Sequence, residues 1–269
     1  MAKFYTTGCI PSISGVPYSS APLFMRLYSE IMLVFNAAGT ENARLYPRPC
    51  PAMNNPAEKQ TTDNRYYRKA HFLISAGNAA QFPKDGREVA FAGRSNAGKS
   101  SAINTLCDNK SLARTSKTPG RTRLVNFFAL DEARRLVDLP GYGFAKVPVA
   151  VKNEWEKLMT AYLSEQQPLT GLVVIMDIRH PLNEYDWQML QWCQHFQLPA
   201  HILLTKADKI KRGAQQNSKL LTQKLLKEAG IDATVQTFSA LKKTGLDELV
   251  CKLNEWLELT DKIHRSSQT

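Results

Sequence analysis

Gly93-Arg94-Ser95-Asn96-Ala97-Gly98-Lys99-Ser100-Ser101 is the stretch that decides the fold, because it matches the pattern G-x-x-x-x-G-K-[ST] at every fixed position. The preceding segment, 87–92, is apolar toward its end and predicts a short strand. The following segment, 101–106, predicts the first turns of a helix. A strand, a glycine-rich loop and a helix are the context in which this pattern binds phosphate. A turn that matches by chance is the alternative that the motif alone leaves open.

The chemistry of this loop is anion binding. Gly93 and Gly98 let the backbone curl so that several N–H groups point at one anion, and the helix adds the positive end of its dipole. The Lys99 ammonium is expected to reach the β- and γ-phosphates of a nucleotide, and the Ser100 hydroxyl to bind Mg²⁺. The sequence therefore predicts that all of Gly93–Ser100 contacts the nucleotide.

Length and composition limit the number of domains and the class of protein. The chain has 269 residues, 43% of them hydrophobic, which is enough for one good-sized domain or a domain with an appendage. Its net charge of +11 favours anionic partners such as nucleic acid or an acidic membrane surface, although a soluble basic protein also fits. The five cysteines are scattered without a C-x-x-C pair, which predicts a reducing cytoplasm and no zinc site. No apolar run approaches the roughly 20 residues of a membrane span, and we expect a monomer.

The first 62 residues differ from the rest. They contain seven of the 14 prolines and a net charge of only +2, without a clear period. We interpret them as an N-terminal extension that is disordered except for a possible helix over 23–35. A targeting peptide and a true translation start at Met53, which would make residues 1–52 an artefact, are the alternatives. The domain itself is assigned to residues 63–269.

Apolar strand-like runs alternate with amphipathic helical runs through this domain. The predicted strands are 87–92, 123–130, 134–139, 171–177, 200–205 and 234–239. The predicted helices are 99–107, 150–165, 183–196, 214–229 and 245–258. Continuous apolar strands with helices between them indicate an α/β fold with a mostly parallel six-stranded sheet and helices on both faces, three layers in all.

Three of these strands end in short motifs that suit a guanine nucleotide. Asp138-Leu139-Pro140-Gly141 supplies a carboxylate that can hold Mg²⁺ through water and a Gly141 N–H that can sense a γ-phosphate. Thr205-Lys206-Ala207-Asp208 supplies a carboxylate that can accept two hydrogen bonds from guanine, while the Lys206 stem covers the ring. Phe238-Ser239-Ala240 supplies backbone for the guanine O6. Each motif alone fits an ordinary turn, but in this order, each at a strand end, they predict guanine specificity.

The chain resembles the EngB family of bacterial ribosome-assembly GTPases, of the translation-factor class, from about residue 70 to 259. The glycine-rich loop carries the resemblance together with three further strings: Thr115-Ser116-Lys117-Thr118-Pro119-Gly120-Arg121-Thr122, Asp138-Leu139-Pro140-Gly141-Tyr142-Gly143 and Asp177-Ile178-Arg179-His180-Pro181. The resemblance implies a Ras-like G domain that binds GTP and Mg²⁺. It also implies a role in large ribosomal subunit assembly and an association with cell division and septation.

By the same resemblance, Ser100 and Thr122 are the expected Mg²⁺ ligands, and Lys99, Thr122 and Gly141 the expected catalytic groups. Nucleotide contacts are expected at the loop, at the three strand ends and at Gly120, Arg121, Thr122, Arg123 and Leu124. Thr205 stands where many GTPases have asparagine, and the EngB family tolerates threonine at this position.

The segment 110–123 has five basic residues and no acidic one. It corresponds to the first switch of a GTPase, where Thr122 would close over Mg²⁺ when a γ-phosphate is present. A solvated basic loop and a nucleotide-controlled RNA-contacting loop are both open interpretations, because lysine and arginine can pair with RNA phosphates.

Tyr142 takes the position directly after D-x-x-G, where Ras-like proteins have a water-orienting glutamine. Because tyrosine has no amide, we expect slow hydrolysis of GTP unless another group stabilises the transition state. K⁺ bound by Asn96, or a group from a ribosomal partner, could supply positive charge; alternatively, Asn96 only bonds its own backbone.

Two function classes remain open. One is a GTP-hydrolysing switch that binds a ribosomal particle, and the other is a GTP-dependent interaction protein in septation with incidental hydrolysis. Asp208 and the absence of an evident lid disfavour a P-loop kinase.

Overall fold

Strands with buried side chains form the centre of the fold. The computed structural model describes residues 64–113, 124–143 and 149–259. The strands of these residues are β1 (His71–Ala76), β2 (Arg87–Gly93), β3 (Val125–Ala129), β4 (Arg134–Asp138), β5 (Leu169–Asp177), β6 (Ala200–Thr205) and β7 (Ala233–Thr237). They form one sheet in the order β1-β3-β4-β2-β5-β6-β7. Five strands, β4, β2, β5, β6 and β7, pair in parallel, whereas β3 runs antiparallel to both β1 and β4.

Five α-helices accompany the sheet in the described part of the chain. They are α1 (Lys99–Leu106), α2 (Val149–Glu165), α3 (Glu184–His195), α4 (Arg212–Glu228) and α5 (Leu246–Trp256). Each lies within two residues of a predicted helix. Every predicted strand is likewise present within two residues of its expected ends, so the three-layer α/β fold is confirmed.

Two hydrophobic clusters lie on opposite faces of the sheet. Successive side chains of a strand point to opposite faces, and β5 shows this directly. Val174 packs in the cluster that includes residues of α2 and α3. Val173 packs in the other cluster, which includes residues of α1 and α5. The sheet therefore has helices on both sides, as its continuous apolar strands predict.

The predicted six-stranded sheet is wrong by one strand, because β1 adds a seventh at the edge. Its residues Phe72, Leu73 and Ile74 are consecutive apolar side chains, all exposed. A strand without alternating burial has no period-2 pattern, so hydrophobic periodicity does not reveal it.

Several sequence-based expectations concern residues that the structure does not describe. The N-terminal extension over 1–62, most of the basic segment 110–123, and the nucleotide contacts at Gly120, Arg121, Thr122 and Arg123 all fall there. They stay predictions. Among the helices of the described ranges, none is long and apolar enough to cross a membrane.

Candidate guanine nucleotide site

The site lies at one edge of the sheet because the parallel strands end there together. Phe91 of β2 is in register with Asp138 of β4, and Asp177 of β5 with Thr205 of β6. Beyond β7, the Phe238 N–H donates to the Leu204 carbonyl at 2.8 Å, which continues this edge. In open α/β sheets, ligands bind beyond these carboxyl ends. The structure thus brings the three predicted strand-end motifs to the same edge as the glycine-rich loop.

The loop between β2 and α1 turns through two left-handed residues. Asn96 has φ of +63° and Gly98 has φ of +106°. A Cβ at Gly93 would lie 2.8 Å from the Ile175 Cβ and carbonyl oxygen, so only glycine fits where β2 passes β5. The Ala97 N–H donates to the Arg94 carbonyl at 3.0 Å, and α1 begins at Lys99. This geometry places a helix N-terminus directly after the curled backbone, which is the arrangement that binds phosphate.

Lys99 and Asp138 form an ion pair at the base of this loop. Their side chains are only 12% and 7% exposed, so both charges are largely removed from water. A phosphate would offer Lys99 an alternative anion and leave the Asp138 carboxylate available to a cation. Ser100 follows in the first turn of α1. One hydroxyl and one carboxylate suit Mg²⁺, which takes few protein oxygens and keeps several waters or phosphate oxygens.

The expected guanine end of the site is built from two loops. The Ser239 hydroxyl donates to Asp208 Oδ1 at 2.7 Å, and the Lys242 N–H donates to the Ser239 hydroxyl at 3.1 Å. The Ala207 N–H donates to the Phe238 carbonyl at 3.1 Å and joins the two loops. The hydrogen bond from Ser239 lowers the pKa of Asp208. Asp208 is therefore an ionised acceptor at neutral pH, as guanine recognition requires.

Lys206 links the guanine end to the phosphate loop. Its ammonium donates to the Asn96 carbonyl at 2.6 Å and pairs with Asp177 Oδ2 at 2.9 Å. Arg179 also binds the Asp177 carboxylate, with N···O distances of 2.9 and 2.6 Å. Burial raises the pKa of Asp177, but the hydrogen bonds from Arg179 and Lys206 outweigh it and hold that pKa well below its usual range. The sequence singled out the Asp177–Arg179 string only by resemblance and gave it no role.

Thr205 has a structural task of its own. Its hydroxyl contacts the carbonyl oxygens of Ala97, in the phosphate loop, and of Met176, at 3.0 Å, in β5. It is 3% exposed. The residue that departs from the common asparagine thus holds β6 against the phosphate loop.

Tyr142 is enclosed rather than free to reach a water molecule. It is 3% exposed, and its hydroxyl donates to Asp186 Oδ1 at 2.9 Å. Its backbone is fixed to the phosphate loop, because the Ser95 N–H donates to the Tyr142 carbonyl at 2.9 Å. The rings of Trp155 and Tyr185 lie 6.0 and 6.3 Å from the Tyr142 ring. The tyrosine therefore connects the segment after Asp138-Leu139-Pro140-Gly141 to both the phosphate loop and α3.

Asp186 is a residue that sequence reasoning missed. It is fully buried at the N-terminus of α3, where its Oδ2 accepts from the Asn183 N–H at 3.1 Å and the Asn183 side-chain amide at 2.5 Å. Asn183 in turn accepts from the Asp186 N–H, which completes a capping box. Burial raises the pKa of Asp186 to about 6. The N-x-x-D spacing signals the cap, but nothing local signals the partner Tyr142, 44 positions away.

The other predicted contact residues after β4 and before β3 differ in where they lie. Gly141 lies beside the loop, since a Cβ there would be 3.6 Å from the Ser95 backbone nitrogen. Leu139 is buried, and the Pro140 carbonyl accepts from the Trp155 indole at 3.2 Å, so both support the fold around Asp138. Leu124 is 41% exposed at the boundary of the described residues.

Comparison with known proteins supports the same interpretation. Residues 88–206 match the family model described as 50S ribosome-binding GTPase. A solved structure of a probable GTP-binding protein EngB is similar with a TM-score of 0.52 and 22% sequence identity, over 64% of this chain and 98% of that chain. A GDP·AlF₄⁻ complex of Era from Aquifex aeolicus has a TM-score of 0.49 and 22% identity, over 64% and 57% of the two chains. The sheet and helices of the described residues therefore have the fold of a P-loop GTPase domain, with residues 88–206 matching the family model.

Proposed function

We propose that this protein is a GTP-binding and GTP-hydrolysing switch that acts in large ribosomal subunit assembly in the cytoplasm. The observation that carries the proposal is the arrangement of Lys99, Asp138 and Asp208 on one sheet edge, within a chain that matches a 50S ribosome-binding GTPase model. The EngB likeness supports the fold of this assignment. A requirement for normal cell division and septation is the part of the proposal that rests on the family resemblance alone.

The bound ligand in this proposal is a guanine nucleotide with Mg²⁺. Asp208 and Ser239 hold the base, and the backbone of 93–98 with Lys99 holds the phosphates. Ser100 and Thr122 are the proposed protein ligands of Mg²⁺, with Asp138 nearby. Bound Mg²⁺ would neutralise charge that develops on the phosphate oxygens during hydrolysis.

Basal hydrolysis is proposed to be slow because the residue after D-x-x-G is not available to the reaction. Tyr142 is buried and its hydroxyl is hydrogen-bonded to Asp186. Lys99, Thr122 and the Gly141 N–H are the proposed catalytic groups, and further positive charge comes from a ribosomal partner or from K⁺.

Asn96 is the proposed K⁺ ligand. Its backbone carbonyl accepts from Lys206, whereas its side chain makes no hydrogen bond to any described residue. The alternative in which the Asn96 side chain only bonds its own backbone therefore has no support in the described residues. Asn96 has a positive φ, so replacement by alanine would add backbone strain of about 1 kcal/mol or more.

The K⁺ hypothesis is tested with Asn96→Gly, because glycine accepts a positive φ and removes only the amide. We expect wild-type phosphate release to be faster in K⁺ than in Na⁺, and Asn96→Gly to lose that difference while keeping its GDP affinity. Equal rates in both salts for the wild type would remove K⁺ from the proposal.

Co-sedimentation with purified ribosomal particles tests the function itself. We expect the protein to pellet with large subunits in a non-hydrolysable GTP analogue and to remain in the supernatant in GDP. Small subunits serve as the control. Absence of nucleotide-dependent binding to large subunits would contradict the proposed role and favour the septation alternative.

A further inference from the structure

The segment around α4 is more positively charged than the rest of the described range 149–259. Residues 206–243 contain nine lysines and arginines and three acidic residues. The rest of the described range 149–259 contains four basic and ten acidic residues. The positive charge of this half of the domain is therefore concentrated in one segment, which is the pattern expected of a surface that contacts an anionic partner.

Helix α4 and the residue before it carry five of these nine basic residues. Of its 17 residues, only Thr222 and Leu226 are buried. Five basic positions on the helix and at its N-terminus define what we name the basic helix surface: Lys211, Arg212, Lys219, Lys224 and Lys227. Lys224 pairs weakly with Glu228 at 3.8 Å, and the other four form no ion pair with a described residue. Most of the charge is thus not neutralised within the described residues.

Helix α4 is hydrogen-bonded to the loops of the candidate nucleotide site. Gln215 of α4 donates to the carbonyl oxygens of Ala207 at 2.8 Å and Ile210 at 3.1 Å, directly beside Asp208. Ser218 donates to the Ile178 carbonyl at 3.0 Å, next to Asp177. An anionic partner on α4 would therefore contact an element that is hydrogen-bonded to the guanine loop.

The distribution of apolar residues favours RNA over a lipid surface. Three leucines of α4 are exposed: Leu220 (53%), Leu221 (56%) and Leu225 (36%). Charged residues lie on the same sides of the helix, because Lys224 follows Leu220 at i+4 and Leu221 at i+3, and Glu228 follows Leu225 at i+3. Helices that lie in a membrane interface instead separate an apolar face from a charged face. At about 1.5 Å per residue, positions 211–227 extend along roughly 24 Å, enough to span several backbone phosphates of an RNA duplex.

We propose that the basic helix surface binds the phosphate backbone of RNA and is the part of the proposed ribosomal interaction that lies on α4. The identification of the RNA as ribosomal rests on the proposed function, whereas the binding of RNA phosphates by lysine and arginine does not. The basic helix surface lies in a different part of the sequence from the basic segment 110–123, which precedes β3.

The test uses the full chain with the triple substitution Lys219→Gln, Lys224→Gln and Lys227→Gln. Glutamine keeps helix propensity and these positions are away from the guanine loop, so folding and GDP affinity should not change. The matched control, Lys69→Gln with Lys84→Gln and Lys157→Gln, removes the same charge from exposed positions elsewhere. Binding to an RNA duplex and to large subunits is measured as a function of salt concentration.

We expect the slope of log Kobs against log salt for duplex RNA to become shallower by about 0.9 for each phosphate that the variant no longer neutralises, and the control to keep the wild-type slope. Weaker binding of duplex RNA by the triple variant, but not by the control, supports RNA binding by the basic helix surface. If this result is obtained and no form of the protein binds large subunits, only the proposed function fails. An unchanged slope in the triple variant overturns the surface and leaves the function intact. Binding of wild-type protein to anionic phosphatidylserine vesicles but not to RNA overturns it as well.

Discussion

At the scale of single residues, the proposed guanine selectivity rests on Asp208. The Asp208→Asn variant should bind GTP about 10- to 150-fold more weakly, because it loses charge-assisted hydrogen bonds worth roughly 1.5–3 kcal/mol. It should bind xanthosine triphosphate better, since the amide can donate to the xanthine oxygen. A competition assay with both nucleotides measures this. Asp232→Asn, at an exposed carboxylate, is the control; an unchanged preference for GTP in Asp208→Asn would refute the assignment.

For Tyr142, substitution can separate a structural role from a catalytic one. Alanine at this position would leave a cavity in a core of aromatic rings and cost about 3–5 kcal/mol, which would confuse folding with catalysis. We therefore choose Tyr142→Phe, which removes only the hydroxyl that binds Asp186. Basal turnover should stay within about twofold of wild type, while the free energy of unfolding falls by about 1–3 kcal/mol.

Single-turnover phosphate release and urea denaturation of Tyr142→Phe provide the two measurements. A fall in turnover far larger than the fall in stability, with GTP affinity unchanged, would mean that the tyrosine hydroxyl takes part in the reaction.

The burial of Asp186 predicts how the stability of the protein depends on pH. Its pKa is raised from 3.8 to about 6 by burial, so its ionisation opposes folding. Its contribution to stability is therefore fully present below about pH 4 and is lost as pH rises through 6. Asp186→Asn keeps an acceptor for Tyr142 and cannot ionise. The unfolding free energy of the wild type minus that of this variant should fall by roughly 1–3 kcal/mol between pH 4 and pH 7; a flat difference would contradict the raised pKa.

At the scale of elements, the predicted first switch remains a candidate RNA contact. Replacing Lys117, Arg121 and Arg123 with alanine should weaken ribosome association and flatten its salt dependence, because fewer counterions are released when fewer phosphates are neutralised. GDP affinity should change little. Comparing these alanine substitutions with the α4 variant, in the same salt titration, assigns the phosphate contacts to one element, to the other or to both. Wild-type slopes in the switch variant would favour a solvated basic loop.

At the scale of the whole molecule, residues 1–52 should be dispensable for the GTPase domain. Their proline-rich composition without a hydrophobic period motivates the expectation. A protein that starts at Met53 should have the same melting temperature and GTP affinity as the full chain. Thermal unfolding and nucleotide titration check both, and a melting temperature lower by several degrees would show that the extension stabilises the domain.

The sequence by itself determined the parts of this protein that depend on local patterns. The glycine-rich loop, Asp138 and Asp208 are each recognisable from neighbours within a few positions, and continuous apolar runs indicated a buried parallel sheet. Strand ends that meet at one edge then follow from the parallel topology, so the proximity of the loops that carry Asp208 and Ser239 could be predicted.

Only the tertiary structure decided which side chains pair across long sequence separations. The bond from Tyr142 to Asp186, the ion pair of Lys99 with Asp138 and the contact of Thr205 with Ala97 join positions 44, 39 and 108 residues apart. The edge strand β1 was missed because its exposed apolar residues have no period. Local patterns indicate which face of an element a residue occupies. Its distant contact partner depends on how whole elements pack, so that partner is defined only once the sheet and its helices have assembled.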